Sequence, residues 1–131
     1  MVEDGNTIHD WIRYYVPLVN EEFGLSDRND KSIDFFEKLL PVSDYIVDDW
    51  HYLWVLPSYD MWGDKYIMVV SYYIKKDMRN PSKFRKLQEE IIMLAKKHEA
   101  LYIIQGSHLK DKLHKILGKM GYKVAQMIRR T

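Results

Sequence analysis

The sequence predicts an α+β domain in which helices flank a mixed central sheet, with element order ααβββαβαβ. Three observations predict it. Tyr66-Ile67-Met68-Val69-Val70-Ser71-Tyr72-Tyr73-Ile74 is an uncharged run of β-branched and aromatic residues, which reads as a strand covered on both faces. Phe84, Leu87, Ile91, Leu94 and Ala95 then recur at helical spacing from Lys83 to His98. Two helix-like and two strand-like segments precede this pair, and a strand, a helix and a strand follow it.

The chain in order supports that reading. Residues 1–6 look like a polar tail. Thr7 is placed to cap a helix, with Asp10 in the capping-box position. Ile8, Trp11, Ile12, Tyr15, Leu18, Val19 and Phe23 follow one helical face, and Gly24 is a stop. Pro17 predicts a kink or break near Tyr14. Ser32 is read as the cap of a second helix with Ile33, Phe36, Leu39 and Leu40 inward, ended by Pro41. Asp44 to Asp49 and Trp50 to Leu56 read as strands, with Asp48-Asp49 as the turn between them. Pro57 to Asp64 reads as a loop, and the central strand starts at Lys65. Leu101 to Ile104 reads as a short buried strand. Gly106 and Ser107 open a helix with Leu109, Leu113, Ile116, Leu117 and Met120 on one face. Gly121 stops it, and Tyr122 to Ile128 is a last strand.

Length and composition bound the class. The 131 residues suggest one domain, 1–131, with 47% apolar and a high 14% aromatic content. Cysteine is absent, which excludes disulfides and thiolate metal sites. No signal peptide or membrane-length apolar run is seen, so the default expectation is cytoplasmic, with no membrane partner. Residues 1–66 hold five basic against 14 acidic side chains, a net of −9, and residues 67–131 hold 15 against five, a net of +10. Such asymmetry fits attraction between the halves across one fold or a homodimer. It also fits an anionic partner, nucleic acid included, for the basic half.

Strand alternation places Trp50, Tyr52 and Trp54 on one face and His51, Leu53 and Val55 on the other. One face must be core. The other is either an exposed aromatic surface for a protein partner or the seat of the first helix. His9, His98, His108 and His114 show no His-x-x-x-His spacing, and no metal site is expected.

The break after the central strand carries a family resemblance. Ile74, Arg79 and Leu87 fall in the frame apolar-x-x-x-x-Arg-x-x-Gly-x-Gly/Ala, with leucine three residues later. This resembles the acetyl-coenzyme A signature of the GNAT superfamily of N-acetyltransferases. The two glycine positions hold Ser82 and Phe84, and Pro81 removes one amide donor. Leu113 to Tyr122 is similar to the family's second signature, ending in Met120-Gly121-Tyr122. Its general-acid tyrosine falls on Leu117, which cannot transfer a proton, and its asparagine on Lys110. By motif the resemblance spans Ile74 to Tyr122, and by element order Ser32 to Arg130.

The resemblance implies a GNAT-like fold with an eroded site. If acetyl-coenzyme A binds, the residues placed to hold it are Tyr73, Ile74, Lys75, Arg79, Ser82, Lys83 and Arg85. Asp49 and His51 are the positional candidates for a general base, with Glu22 a further one. The first expectation is a non-catalytic protein without bound cofactor that acts through a protein partner. Lys83-Phe84-Arg85-Lys86-Leu87 is also similar to a helix start in GNAT-like proteins of tailed bacteriophages, which implies a virion or host-takeover role. The alternatives are an active acetyl-coenzyme A-dependent N-acetyltransferase with an unusual cofactor loop, and a polyanion binder.

Overall fold

The structure, a computed structural model, describes residues 7–105. The expected polar tail, the helix from Ser107, the strand from Tyr122, and the positions of Lys110 and Leu117 lie outside the described residues. Among the described residues, no helix is long and apolar enough to cross a membrane.

Helix α1 (Ile8–Glu22) starts at a reciprocal cap. Thr7 Oγ1 accepts from the Asp10 amide at 3.1 Å, and Asp10 Oδ2 accepts from the Thr7 amide at 3.0 Å. It ends at Gly24, whose φ of 71° lies in the left-handed region. There the Gly24 amide donates to the Glu21 carbonyl and the Leu25 amide to that of Asn20, a Schellman stop. The break expected at Pro17 does not occur, because α1 runs through it. The bond Pro17 removes is the one to Arg13, on the exposed face where water can serve that carbonyl. Trp11, Ile12, Tyr15 and Val16 on the buried face hold the helix to the sheet.

Helix α2 (Asn29–Leu39) begins before Ser32, which therefore lies inside it rather than capping it. Buried Asn20 explains the difference, since its Nδ2 donates to Asn29 Oδ1 at 2.9 Å and to Ser32 Oγ at 3.3 Å. Pro41 lies in a single 3-10 turn, Leu40–Val42, after the helix.

The sheet holds β1 (Asp44–Val47), β2 (His51–Tyr59), β3 (Lys65–Ile74) and β4 (Tyr102–Gln105), in that spatial order. The first three strands are antiparallel, and β4 is parallel to β3. Strand β2 continues through Pro57, beyond its expected end at Leu56. Pairing with β1 stops at Val55, so Pro57 sits where β2 has no described partner on that side and a missing N–H is tolerated. Both faces of β2 are covered. Leu53 and Val55 pack with Ile67, Ile74, Leu87 and Ile91 beneath helix α3 (Pro81–Lys97). Tyr52 and Trp54 pack with Trp11, Ile12, Tyr15 and Val16 of α1. The aromatic face is thus the seat of the first helix, not an open surface. Trp50 departs from the expected alternation: it precedes β2 and joins the α3 side.

Contacts across the sheet join the acidic and basic halves. Asp44 Oδ2 meets Lys97 Nζ at 2.9 Å and His98 Nε2 at 2.8 Å, and Glu22 meets Arg79. The charge asymmetry is met at least in part inside one fold.

Candidate functional site

The central strand delivers its residues to the start of α3. A bulge interrupts the β2–β3 ladder: Trp54 pairs with Ser71 and Val55 with Val69, leaving Val70 as the extra residue. The described β3–β4 pairing covers Tyr66 to Val69, reaching Gln105, the last described residue. Ser71 to Ile74 then run on to a 3-10 turn at Lys76–Met78 and into α3.

Helix α3 starts two residues earlier than its periodicity indicates. Asn80 is the cap: its Oδ1 accepts from the Lys83 amide at 2.8 Å, and Pro81 takes the first helical position. The Phe84 amide donates to the Asn80 carbonyl at 3.1 Å. An anion at this helix end would therefore find no N–H on Pro81 and a committed one on Lys83. The Phe84 ring is half-buried against Tyr72, edge to face.

Arg79 is held by the chain's own groups. Its Nη2 donates to both Glu22 oxygens, at 2.8 and 2.9 Å, and its Nε donates to the Ile74 carbonyl at 2.8 Å. The guanidinium lies 5.1 Å over the Tyr73 ring, and Tyr73 Oη donates to Glu22 Oε1 at 3.0 Å. Burial, reinforced by the Glu22 charge, raises the Tyr73 phenol above its usual pKa, so it stays a donor. Glu22, Tyr73, Ile74 and Arg79 thus form one closed cluster at the end of α1. Lys75 stands beside it, with its Nζ 4.9 Å over the Tyr14 ring and its amide donating to the Trp50 carbonyl.

His51 sits on the other face, fully buried between two carboxylates. Its Nδ1 lies 2.7 Å from Asp48 Oδ1 and its Nε2 2.5 Å from Glu90 Oε1. Burial disfavours the imidazolium, but the hydrogen bonds to Asp48 and Glu90 outweigh it and the pKa is raised. Burial likewise pushes Asp48 up, yet its bonds to His51 and the backbone bring it below the usual carboxylate range. A histidine with both nitrogens on carboxylates has no lone pair left for a substrate proton. Asp48 Oδ1 also accepts from the Trp50 and His51 amides, which shapes the turn. Asp49 is exposed in that turn, Ser82 and Arg85 are exposed at the start of α3, and Lys83 Nζ lies 4.6 Å over the Trp50 ring.

The structure therefore separates the expected site residues into an arginine–glutamate cluster, a buried histidine and an exposed basic helix start. Sequence reasoning missed Asn80, Asp48 and Glu90. The Asn-Pro pair was a legible signal for the cap. Nothing local marks Glu90 as a partner of His51. Among the described residues, no group of three or more histidine and acidic side chains is placed to hold a metal ion.

No family model and no curated protein matches the sequence. Solved structures do match the fold. An acetyltransferase candidate from Pyrococcus furiosus superimposes with a TM-score of 0.79 at 16% identity, over 100% of this chain and 97% of that one. An acetyltransferase of Trypanosoma brucei gives 0.73 at 8% identity, over 94% and 93%. An aminoglycoside acetyltransferase from an uncultured soil metagenomic sample gives 0.63 at 12% identity, over 92% and 87%. The chain has the α+β fold of the GNAT-type acetyltransferases.

Proposed function

We propose that this is a GNAT-fold protein that does not transfer acetyl groups and acts by binding a protein partner. One observation carries the reading: Arg79 and the Lys83 amide, two of the groups that the family resemblance assigns to a coenzyme pyrophosphate, are engaged internally, while Ser82 and Arg85 stay exposed. Arg79 is bidentate on Glu22, Lys83 N–H is capped by Asn80, and Pro81 has no N–H. A phosphate would have to displace a charge-assisted pair before gaining its own contacts. The Lys83-Phe84-Arg85-Lys86-Leu87 start extends the proposal to a phage virion or host-takeover protein.

The test is calorimetric titration of the full chain with acetyl-coenzyme A at moderate salt. The reading expects no saturable heat and no thermal shift at millimolar cofactor. Micromolar binding that is lost in Lys83→Glu or Arg85→Glu would overturn it.

A second reading, an active acetyltransferase with an unusual loop, is favoured by the strand geometry. The Val70 bulge re-aims β3 just before Ser71 to Lys75, the backbone stretch on which the family resemblance would place a pantetheine arm. Turnover of acetyl-coenzyme A with an amine panel decides for it. The third reading, polyanion binding through the basic half, predicts an affinity that falls steeply with salt.

A further inference from the structure

The β2–β3 hairpin ends in a fixed loop that presents its apolar residues outward. Asp60 organises it. Its Oδ1 accepts from the Trp62 and Asp64 amides, both at 2.9 Å, and its Oδ2 accepts from Tyr102 Oη at 2.8 Å. Its amide donates to the Asp64 carbonyl, and its carbonyl accepts from Gly63, whose φ is 82°. Chain ordering is therefore complete before anything binds, which removes one cost of association. Around this loop Tyr59, Met61, Trp62 and Leu101 are between 67% and 86% exposed, and Tyr102 is 37% exposed. Leu101 adjoins the hairpin, since its amide donates to the Lys65 carbonyl. Tyr102 stacks on Tyr66 with ring centroids 5.1 Å apart.

We propose that this tip is a self-association surface, where two copies of the chain pair about a twofold axis. Area and charge argue for a second copy. At about 200 Å² for a large side chain in the open, the five residues leave about 700 Å² uncovered. That is above the usual largest patch of a monomer and near the ~800 Å² per partner of a standard interface. The patch is also self-complementary in charge. Exposed Asp64 is followed by half-buried Lys65, whose Nζ lies 5.8 Å over the Tyr59 ring, along the apolar surface. A twofold axis sets Lys65 of each copy against Asp64 of the other, with Trp62 and Met61 between them. The Asp60 and Asp64 carboxylates disfavour nucleic acid and anionic lipid at the same place. This inference is independent of whether acetyl-coenzyme A binds at the start of α3.

The experiment is sedimentation velocity with light scattering on the full chain, from low micromolar to submillimolar concentration. A concentration-dependent dimer is expected. Trp62→Ser weakens it about thirty-fold, as loss of a central aromatic anchor does, without moving the melting midpoint. Asp64→Lys alone also weakens it, and Asp64→Lys with Lys65→Asp restores it. A monomer at every concentration overturns the proposal, as does a dimer indifferent to Trp62→Ser. A monomer whose Trp62 fluorescence shifts on zwitterionic vesicles overturns it in favour of a lipid surface.

Discussion

Replacing His51 with leucine is expected to destabilise the protein although leucine is apolar and of similar size. His51 is fully buried and bonds Asp48 on one side and Glu90 of α3 on the other. Leucine leaves two carboxylates facing each other across an apolar side chain. Removing one member of a buried charged pair costs about 3–5 kcal/mol. Asp48 and Glu90 keep 24% and 17% of their side-chain area in solvent, so water recovers part of that. The expected loss is about 2–3 kcal/mol, a fall in midpoint of about 10 °C for a chain of this size. The pH dependence carries the sharper test. Burial pulls the His51 pKa down, but its bonds to Asp48 and Glu90 raise it overall. Its stabilisation is therefore full below the ordinary histidine value and is lost as pH rises through the folded value. Asp48 behaves oppositely: burial raises it, its bond to His51 more than reverses this, and its contribution is lost as pH falls through its depressed value. The gap between native and His51→Leu proteins should be widest at mildly acidic pH, between the ordinary carboxylate and histidine values, and should narrow on both sides. Urea unfolding followed by tryptophan fluorescence, at a series of pH values, measures it. A leucine variant as stable as the native chain at mildly acidic pH, or a gap that ignores pH, refutes the reasoning and makes His51 a neutral core residue.

Other perturbations have smaller expected effects. Arg79→Ala removes the bidentate bond to Glu22, the bond to the Ile74 carbonyl and the stack on Tyr73, and should lower stability by about 1 kcal/mol, less at high salt, in urea unfolding. Asn80→Ala removes the cap of α3 and should cost about 1 kcal/mol by the same assay. Pro17→Ala should raise the thermal midpoint, since it restores a missing bond inside α1 and replaces a residue about 3 kcal/mol less favourable than alanine in a helix interior.

The parts of the fold legible in the sequence were those decided by local pattern. Strand β3 is an unbroken apolar run, α3 repeats its apolar residues at helical spacing, and Thr7 and Gly24 cap α1 with their own atoms or backbone. The parts that were misread are settled by contacts between distant segments. Pro17 survives inside α1 because Trp11, Ile12, Tyr15 and Val16 hold that helix on the sheet. Ser32 is not a cap because Asn20 draws it into a bond. The candidate site was legible as a frame, Ile74 to Leu87, but not as an environment. That Arg79 meets Glu22 and His51 meets Glu90 depends on packing α1 and α3 against opposite faces of one sheet. Only the cap at Asn80-Pro81 was readable locally and was passed over, because Pro81 suggests a break as readily as a helix start.

The central claim is that Arg79 and the Lys83 and Phe84 amides at the start of α3 are engaged by the chain's own groups. The most direct measurement is a titration of the isotope-labelled chain with coenzyme A, following the backbone amide signals of Lys83 and Phe84 and the Arg79 Nε signal. The account predicts that none shifts at millimolar ligand while Asn80 and Glu22 are intact. Saturable shifts at these signals would show that a phosphate displaces Asn80 and Glu22, and would contradict it.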